Sequence, residues 1–507
     1  MVCSKGWTKL WRLNYKRNVF HPNTLHPSLI FSGPSKILSF STTVINSADR
    51  NAPPKRGANT LKIKKKAPVR DKGRPPSEGE RKALRKRIVL SNSNALDVKM
   101  PEFNEDFICK LLGKPVSDVK DVEPTKTSDQ KTRDKNTPSE DESIKPKEQG
   151  NSGRESVASI VALSDCTVDS LRALQAFKIT QSWSLFRRPS ILIRNESKIL
   201  TERLLQSQEQ KTTLRLVIDG AKGTGKSMML LHAMATALVS KWLVIHIPEA
   251  QDVTNAVTEY APIPGSNLHS QNTLSAELLS RISKANTDIL RTMKVRQSHS
   301  NLPYPLESNC SVYRLCELGS QEPEYSWPFF LAFWSEITAE ENPPILMCLD
   351  GISYILQNSL YVNPDLSYIH SQDLAIVRHF TDHLSGAKTI PNGGAFIAAT
   401  NRSHAPVSPS LELAITRSSE RALKMDESLP DPFEKKYDSR SDEILSKVDA
   451  FKLGGLSKDE TRSLLEYWAK SGVLRSRIDE KIVAEKWVLA GHGNAGEIQR
   501  GSLWMRS

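Results

Sequence analysis

The chain runs from Thr213-Leu-Arg-Leu-Val-Ile-Asp219 directly into Gly220-Ala-Lys-Gly-Thr-Gly-Lys-Ser227, and then into an apolar, helix-like run that ends at Val239. The middle segment matches G-x-x-x-x-G-K-[ST] at every fixed position, and it lies between a predicted strand and a predicted helix. Its glycines let successive backbone N–H groups point at one anion, and the positive end of the following helix adds to that attraction. We therefore predict that this loop binds the phosphates of a nucleotide.

Individual residues of the loop have predicted roles. Lys226 reaches the β- and γ-phosphates, and the Ser227 hydroxyl ligates Mg²⁺. The glycines supply the turn and the backbone N–H groups that surround the phosphates. The predicted nucleotide-binding residues of the loop are Gly220, Gly223, Thr224, Gly225, Lys226 and Ser227.

Two strand ends supply the remaining candidates. A buried-type run that begins at Ile345 ends in Asp350, whose carboxylate is expected to orient Mg²⁺. Ser227 and Asp350 are therefore the predicted metal ligands. The other interpretation of Asp350 is a strand-end residue that only begins a turn with Gly351. A further predicted strand is followed by Asn401, which could position water or sense the γ-phosphate.

The residues that follow Asp350 bear on catalysis. ATP-driven machines usually place an acidic residue next, to activate the attacking water, but here the next residue is Gly351. Ile352 and Ser353 offer no carboxylate either. Without a general base, hydrolysis is expected to be slow or absent, and we assign no catalytic residue. This pattern favours a bound nucleotide that stabilises structure, and it leaves open whether the chain is an enzyme.

These residues do not determine the base of the nucleotide. Ser446-Lys-Val-Asp449 loosely matches the N/T-K-x-D motif that reads guanine, but it follows a poor strand. Recognition of the base by backbone groups is the other possibility. The residues themselves leave guanine and adenine both open.

Alternating strands and helices predict an α/β fold with a parallel sheet flanked by helices. Beyond the loop, the predicted strands are Trp242–Ile247, Ile345–Asp350 and Gly394–Thr400, and the predicted helices between them are Ser275–Val295 and Asp373–Leu384. After about residue 430 the pattern predicts helices only, at Ser457–Ser471 and Asp479–Leu489. We predict a phosphate-loop nucleotide-binding domain at 156–435 and a helical, lid-like subdomain at 436–507.

The basic character of the chain is concentrated near its start. The first 100 residues hold 22 Lys and Arg against 5 Asp and Glu, whereas the other 407 hold 48 against 52. Residues 1–48 contain no acidic residue and are rich in Ser and Thr, which is typical of a mitochondrial targeting segment. The alternative is a disordered tail that carries no targeting signal. No run of apolar residues is long enough to predict a membrane span.

Residues 49–155 are predicted to form a basic, largely extended or disordered arm and linker. Lys and Arg dominate 50–90, where proline pairs interrupt them. Such arms bind phosphate backbones by releasing counterions and do not read bases. The composition therefore favours contact with RNA, and the alternative is a solvated run of charge.

Together these features resemble one family, the mitochondrial small-subunit ribosomal protein also called death-associated protein three. The resemblance rests on the loop Gly220–Ser227, Trp242-Leu-Val-Ile-His-Ile-Pro-Glu249, Leu349-Asp-Gly-Ile352, Ala398-Ala-Thr-Asn401, Asp431-Pro-Phe433 and Leu464-Leu-Glu-Tyr-Trp468. The basic segment that ends at Leu90 resembles a fungal version. The loop is shared by many families, so the W-x-V-I-H-I-P-E and D-P-F segments are the discriminating ones.

The resemblance implies a nucleotide-binding domain of the AAA-like phosphate-loop class in the head of the mitochondrial small ribosomal subunit. It implies guanine nucleotide, GTP or GDP, with Mg²⁺ as the cofactors. The implied partners are small-subunit rRNA, other small-subunit proteins and large-subunit proteins across the subunit interface. The implied location is the mitochondrial matrix, and the implied role is support of mitochondrial translation.

Two other functions fit parts of the sequence. A mitochondrial AAA-like ATPase that remodels protein or nucleic acid explains the body, but it requires an acidic residue after Asp350. A signalling switch that cycles nucleotide is a third interpretation. The ribosomal interpretation alone accounts for both the basic arm and the absence of a general base after Asp350.

Overall fold

The computed structural model describes residues 88–113, 159–307 and 309–504. The predicted targeting segment at 1–48 lies outside the described residues, as does most of the predicted arm and linker at 49–155. Among the described residues, no helix is both long and apolar enough to cross a membrane.

Eleven strands and fifteen α-helices are found in the described residues. The strands are β1 (Ser159–Ala162), β2 (Ser190–Ile193), β3 (Thr213–Asp219), β4 (Leu243–Ile247), β5 (Ala261–Pro262), β6 (His269–Ser270), β7 (Ile345–Asp350), β8 (Asn358–Val362), β9 (Tyr368–His370), β10 (Gly394–Ala399) and β11 (Asp449–Lys452). The helices are α1 (Glu105–Leu111), α2 (Asp165–Ala173), α3 (Asn195–Glu209), α4 (Lys226–Val239), α5 (Gln251–Thr254), α6 (Asn272–Ala285), α7 (Thr287–Thr292), α8 (Val312–Gln321), α9 (Ser326–Ile337), α10 (Ala375–Ser385), α11 (Pro409–Leu423), α12 (Ser439–Leu445), α13 (Lys458–Lys470), α14 (Glu480–Leu489) and α15 (Ala495–Gln499).

Five strands form the central parallel sheet in the order β11-β3-β10-β7-β4. Every residue of β4, β7 and β10 is buried. Parallel strands covered on both faces require such continuous apolar runs. The predicted α/β fold with a helix-flanked parallel sheet is therefore confirmed.

The two faces of the sheet pack into separate hydrophobic clusters. Along β4, Leu243, Ile245 and Ile247 face a cluster that includes residues of α6, α8, α9 and α10. Val244, between them, faces a second cluster that includes residues of α2, α3 and α4. This alternation follows from the two-residue period of a strand. The sheet is thus the middle layer of three.

The predicted helix Ser275–Val295 is instead two helices, α6 and α7, that meet at Asn286. The Asn286 side chain accepts a hydrogen bond from the Val244 N–H at 2.8 Å and donates one to the Val244 carbonyl at 2.9 Å. Asparagine competes with helix hydrogen bonds in this way. A contact with the edge strand therefore breaks a run whose apolar spacing alone predicts one helix.

The expectation of helices only after residue 430 is wrong for β11. This strand pairs with β3 in parallel, with Asp449 opposite Leu216 and Lys452 opposite Asp219. Only Phe451 among its four residues is buried. A four-residue edge strand with one buried side chain carries too little apolar periodicity to be recognised. The domain boundaries themselves stay predictions.

Part of the segment predicted as arm and linker is folded on the body. Leu90, Phe103 and Ile108 are buried in the cluster that also contains α4 residues. The Phe103 N–H donates to the Ala162 carbonyl at 2.8 Å, and the Asn104 side chain accepts the Phe107 N–H at the start of α1. Residues 88–113 therefore belong structurally with the body that contains the central sheet.

Candidate functional site

The predicted phosphate loop lies at the carboxyl edge of the central sheet, between the end of β3 and the start of α4. Gly223 has φ +84° and Gly225, which precedes the first residue of α4, has φ +101°. These backbone angles favour glycine over any side chain that carries a Cβ. The carboxyl edge of a parallel sheet is where ligands bind in this class of fold.

Lys226 is folded into the loop. Its Nζ donates to the carbonyls of Gly220 at 2.7 Å and Ala221 at 2.8 Å. Burial lowers the pKa of Lys226 below its ordinary value, while the charges of Asp219 and Asp350 oppose this shift. An anion that entered the loop would meet a largely dehydrated ammonium group, which strengthens the attraction between them.

The structure brings the two predicted metal ligands together. The Ser227 Oγ donates to the Asp350 Oδ2 at 2.7 Å, and the Asp350 side chain is only 7% exposed. A hydroxyl and a carboxylate oxygen are ligands that Mg²⁺ accepts. A third group, which the sequence did not indicate, shares this position: the Lys178 Nζ forms an ion pair with the same Asp350 Oδ2.

The Asp219 carboxylate, which ends β3, is held by residues that directly follow the neighbouring strand β10. The Asp219 Oδ1 accepts the Thr400 hydroxyl at 2.7 Å and the Arg402 Nη2 at 2.8 Å. Asn401 lies between these two residues, and its side-chain oxygen accepts the Ser403 N–H at 2.9 Å. The residues on either side of Asn401 therefore contact the base of the loop, and a role of Asn401 towards nucleotide stays a prediction.

Arg194 connects the loop to the segment that follows β11. This buried guanidinium donates to the carbonyls of Thr224 at 3.3 Å and of Gly454 and Gly455, each at 3.2 Å. It also lies 3.8 Å from a carboxylate oxygen of buried Glu460 at the start of α13. The guanidinium satisfies several carbonyls at once because it presents five donors in a fixed plane.

A second connection joins the loop to α15. The Asn494 Nδ2 donates to the Lys222 carbonyl at 2.7 Å, while its Oδ1 accepts N–H groups from the first turn of α15. The Gly496 N–H then donates to the Gly223 carbonyl at 2.8 Å. Arg194 and Asn494 thus both connect the loop to the C-terminal part of the chain.

The sequence did not indicate five of these residues, which are Lys178, Arg194, Asp219, Arg402 and Asn494. Asp219 had the clearest available signal, because it directly precedes the first glycine of the loop. The other four reach the site from other parts of the chain. Lys178, for example, is 172 positions from Asp350 in the sequence.

The proposed guanine-reading motif lies at the other end of its strand. Asp449 begins β11, and β11 runs parallel to β3, whose carboxyl end carries the loop. Asp449 is therefore about 10 Å along the strand from the loop edge, at roughly 3.3 Å per residue. This position does not support a contact between Ser446–Asp449 and a bound base.

The site fits a polyanionic ligand. Lys226 and Lys178 bring positive charge to the loop region, with Arg402 beside Asp219. Asp350 contacts Lys178, while Asp219 and Glu412 both contact Arg402, so these carboxylates are already paired with cationic side chains. Together with the N-terminal end of α4, this arrangement favours a group such as a nucleoside di- or triphosphate.

The chain matches one protein family and is similar in sequence to two relatives. The family model described as mitochondrial ribosomal death-associated protein 3 matches residues 191–501, a range that includes the loop and Asp350. The small ribosomal subunit protein mS29 of Neurospora crassa is 42% identical over 447 residues, which cover 87% of this chain and 86% of that protein. The mS29 protein of Schizosaccharomyces pombe is 25% identical over 321 residues, covering 62% and 64% respectively.

A solved structure of the Aeropyrum pernix ORC2 protein, in ADPNP and ADP complexes, is also similar. It is 13% identical, covers 60% of this chain and 59% of that one, and has a TM-score of 0.30. A likeness of this size carries no argument about function.

Proposed function

This chain belongs to the mitochondrial ribosomal death-associated protein 3 family, and from that premise we propose that it is a structural component of the small subunit of the mitochondrial ribosome. The family resemblance predicted from the sequence is confirmed. The observation that carries the proposal is the 42% identity to a small ribosomal subunit protein over 86% of that protein's length. Similarity at this level over nearly the whole length favours a shared role in the same particle.

We further propose that the body is an AAA-like phosphate-loop domain that binds guanine nucleotide, GTP or GDP. The loop geometry, the inward-facing Lys226 and the positive φ of two loop glycines support a nucleotide. The preference for guanine rests on the family resemblance alone. When Mg²⁺ is bound, Ser227 and Asp350 would hold it, and it would add to the positive charge that Lys226 brings to the phosphates.

In this proposal the nucleotide stabilises the folded structure. The residue directly after Asp350 is Gly351, which has no carboxylate, and cationic side chains contact both Asp219 and Asp350. The loop also has direct hydrogen bonds to Arg194 and Asn494, which connect it to the C-terminal segment. A phosphate group in the loop would therefore stabilise the junction between the sheet and α13–α15.

The proposal includes the location and the partners. The acid-free segment 1–48 would direct the chain to the mitochondrial matrix, and the basic stretch within 49–155 would contact small-subunit rRNA. The other partners would be small-subunit proteins in the head and large-subunit proteins across the subunit interface. These assignments follow from the charge distribution and from the family.

Sedimentation of a tagged full-length chain from mitochondrial extract tests this function. We expect the chain to migrate with small-subunit rRNA at moderate salt, and we expect the purified subunit to release guanine nucleotide when it is denatured. A chain that migrates as a free hexamer and turns over ATP would instead indicate a remodelling ATPase. Absence of the chain from the small subunit would overturn the proposal.

The Lys226→Ala variant tests the nucleotide in the same experiment. Removal of the ammonium should abolish nucleotide recovery and reduce incorporation of the chain into the subunit, because the loop loses its main phosphate contact. Lys388→Ala is the matched control, since Lys388 forms an ion pair with Asp382 outside the site. Normal incorporation and translation with Lys226→Ala would show that the nucleotide is dispensable.

A further inference from the structure

Lys178 contacts the carboxylate that is predicted to bind a divalent cation. Its ammonium contacts the Oδ2 of Asp350, the same oxygen that accepts the Ser227 hydroxyl. The Ser227 hydroxyl and the Asp350 carboxylate are the predicted ligands of Mg²⁺. A cation that belongs to the chain itself is therefore already paired with the carboxylate of the metal site.

The backbone that carries Lys178 is held in place on two sides. The Lys178 N–H donates to the Gln181 Oε1 at 2.7 Å, and the Trp183 indole donates to the same oxygen at 2.7 Å. From the other side, the Gln499 amide donates to the Thr180 carbonyl at 3.2 Å and to the Ser182 hydroxyl at 2.6 Å. The turn that positions Lys178 is thus held by hydrogen bonds within the chain.

Burial strengthens the attraction between the Lys178 ammonium and the Asp350 carboxylate. The Asp350 side chain is 7% exposed and the Lys178 side chain 24% exposed, so solvent screens the pair poorly. A Mg²⁺ ion would bind oxygen ligands at about 2.0–2.1 Å. A Mg²⁺ ion at the Asp350 Oδ2 would lie next to the Lys178 ammonium, and the repulsion between the two cations opposes its binding there.

We propose that Lys178 is the resident cation of this nucleotide site. Its ammonium neutralises Asp350 and competes with Mg²⁺ for that carboxylate, so the nucleotide binds with little dependence on Mg²⁺. This inference rests on the proposed function, because it requires that the loop binds a nucleotide. It also fits a structural nucleotide, since hydrolysis depends on a fixed metal whereas phosphate binding needs only positive charge.

Equilibrium binding of a fluorescent GDP analogue to the purified full-length chain tests the proposal. Titrations are run in about 5 mM Mg²⁺ and in excess EDTA, and the ionic strength is kept constant because salt screens charge. For the unchanged chain we expect the two dissociation constants to agree within about threefold. For Lys178→Ala we expect EDTA to weaken binding by about tenfold or more, since Mg²⁺ then becomes the only cation on Asp350.

Two further variants and one further measurement complete the test. Lys178→Met retains the apolar stem of the side chain and takes the place of the alanine variant if that variant folds poorly. Its binding should weaken in EDTA to the same extent as is expected for Lys178→Ala. Lys388→Ala, the matched control, should behave like the unchanged chain. Electron paramagnetic resonance with Mn²⁺ and GDP should detect tighter metal binding in both Lys178 variants than in the unchanged chain.

The outcomes separate this inference from the function on which it rests. Binding by the unchanged chain that weakens tenfold in EDTA would overturn the role of Lys178 and leave the nucleotide site intact. Lys178 variants that bind equally well with and without Mg²⁺ would overturn it too. Failure of the unchanged chain to bind the analogue under either condition would instead overturn the nucleotide site, and this inference with it.

Discussion

Gly223 provides the sharpest test of the loop geometry. Its φ of +84° disfavours any residue with a Cβ, and a Cβ placed there would lie 2.5 Å from the Asn494 Oδ1. The strained backbone of Gly223→Ala costs about 1–2 kcal/mol. Displacement of Asn494, which caps α15, costs about 1 kcal/mol more. We therefore expect Gly223→Ala to lower the free energy of unfolding by about 2–3 kcal/mol.

Two matched glycines separate the contributions. A Cβ on Gly225, at φ +101°, would meet no atom within 4 Å, so Gly225→Ala should show the backbone strain alone. Gly454 has neither a positive φ nor a close neighbour, so Gly454→Ala should change stability by less than about 0.5 kcal/mol. Urea denaturation of the nucleotide-free chain, followed by tryptophan fluorescence, gives the three values.

The order of the three variants decides the result. The reasoning predicts that Gly223→Ala is the least stable, Gly225→Ala intermediate and Gly454→Ala close to the unchanged chain. The double variant Gly223→Ala/Asn494→Ala should lose less than the sum of its two single changes, because the close contact is then relieved. Equal stability of Gly223→Ala and Gly454→Ala would refute the described loop conformation.

Two further predictions concern buried charge. Arg194→Met should destabilise the chain by about 3 kcal/mol because it leaves Glu460 buried without its guanidinium neighbour, and adding Glu460→Gln should recover part of the loss in the same urea assay; a loss below about 1 kcal/mol would contradict this. Burial lowers the pKa of His232 to about 4, so the folded state disfavours the protonated form. Its contribution to stability is complete above the unfolded pKa of about 6.5 and is lost as the pH falls from there towards 4. The unchanged chain should therefore lose about 2 kcal/mol more than His232→Gln between pH 7 and pH 5, and equal losses would argue against a buried neutral histidine.

The central sheet was largely predictable because its strands carry strong local signals. The bounds of β3 and β7 agree with the predicted strands, since each is an apolar run that ends in Asp followed by Gly. Two other features carry weaker signals. Strand β11 buries one side chain, and the division between α6 and α7 depends on a contact between Asn286 and Val244.

The candidate site was predictable where its residues follow the loop motif or end a recognisable strand. Lys226 and Ser227 follow from the loop itself, and the Ser227–Asp350 hydrogen bond agrees with their predicted pairing. Lys178, Arg194 and Asn494 come from segments that tertiary packing brings to the loop. A lysine in a short turn and an asparagine before a short helix have ordinary local explanations. Their contacts with the loop therefore required the folded structure.

A density map of the intact mitochondrial ribosome, prepared from the organism that carries this chain, measures the central claim directly. The account predicts this chain within the small subunit, with density for a nucleotide whose phosphates lie against the backbone of Gly220–Ser227. A ribosome that lacks this chain, or that contains it with a well-resolved loop and no phosphate density, would contradict the account.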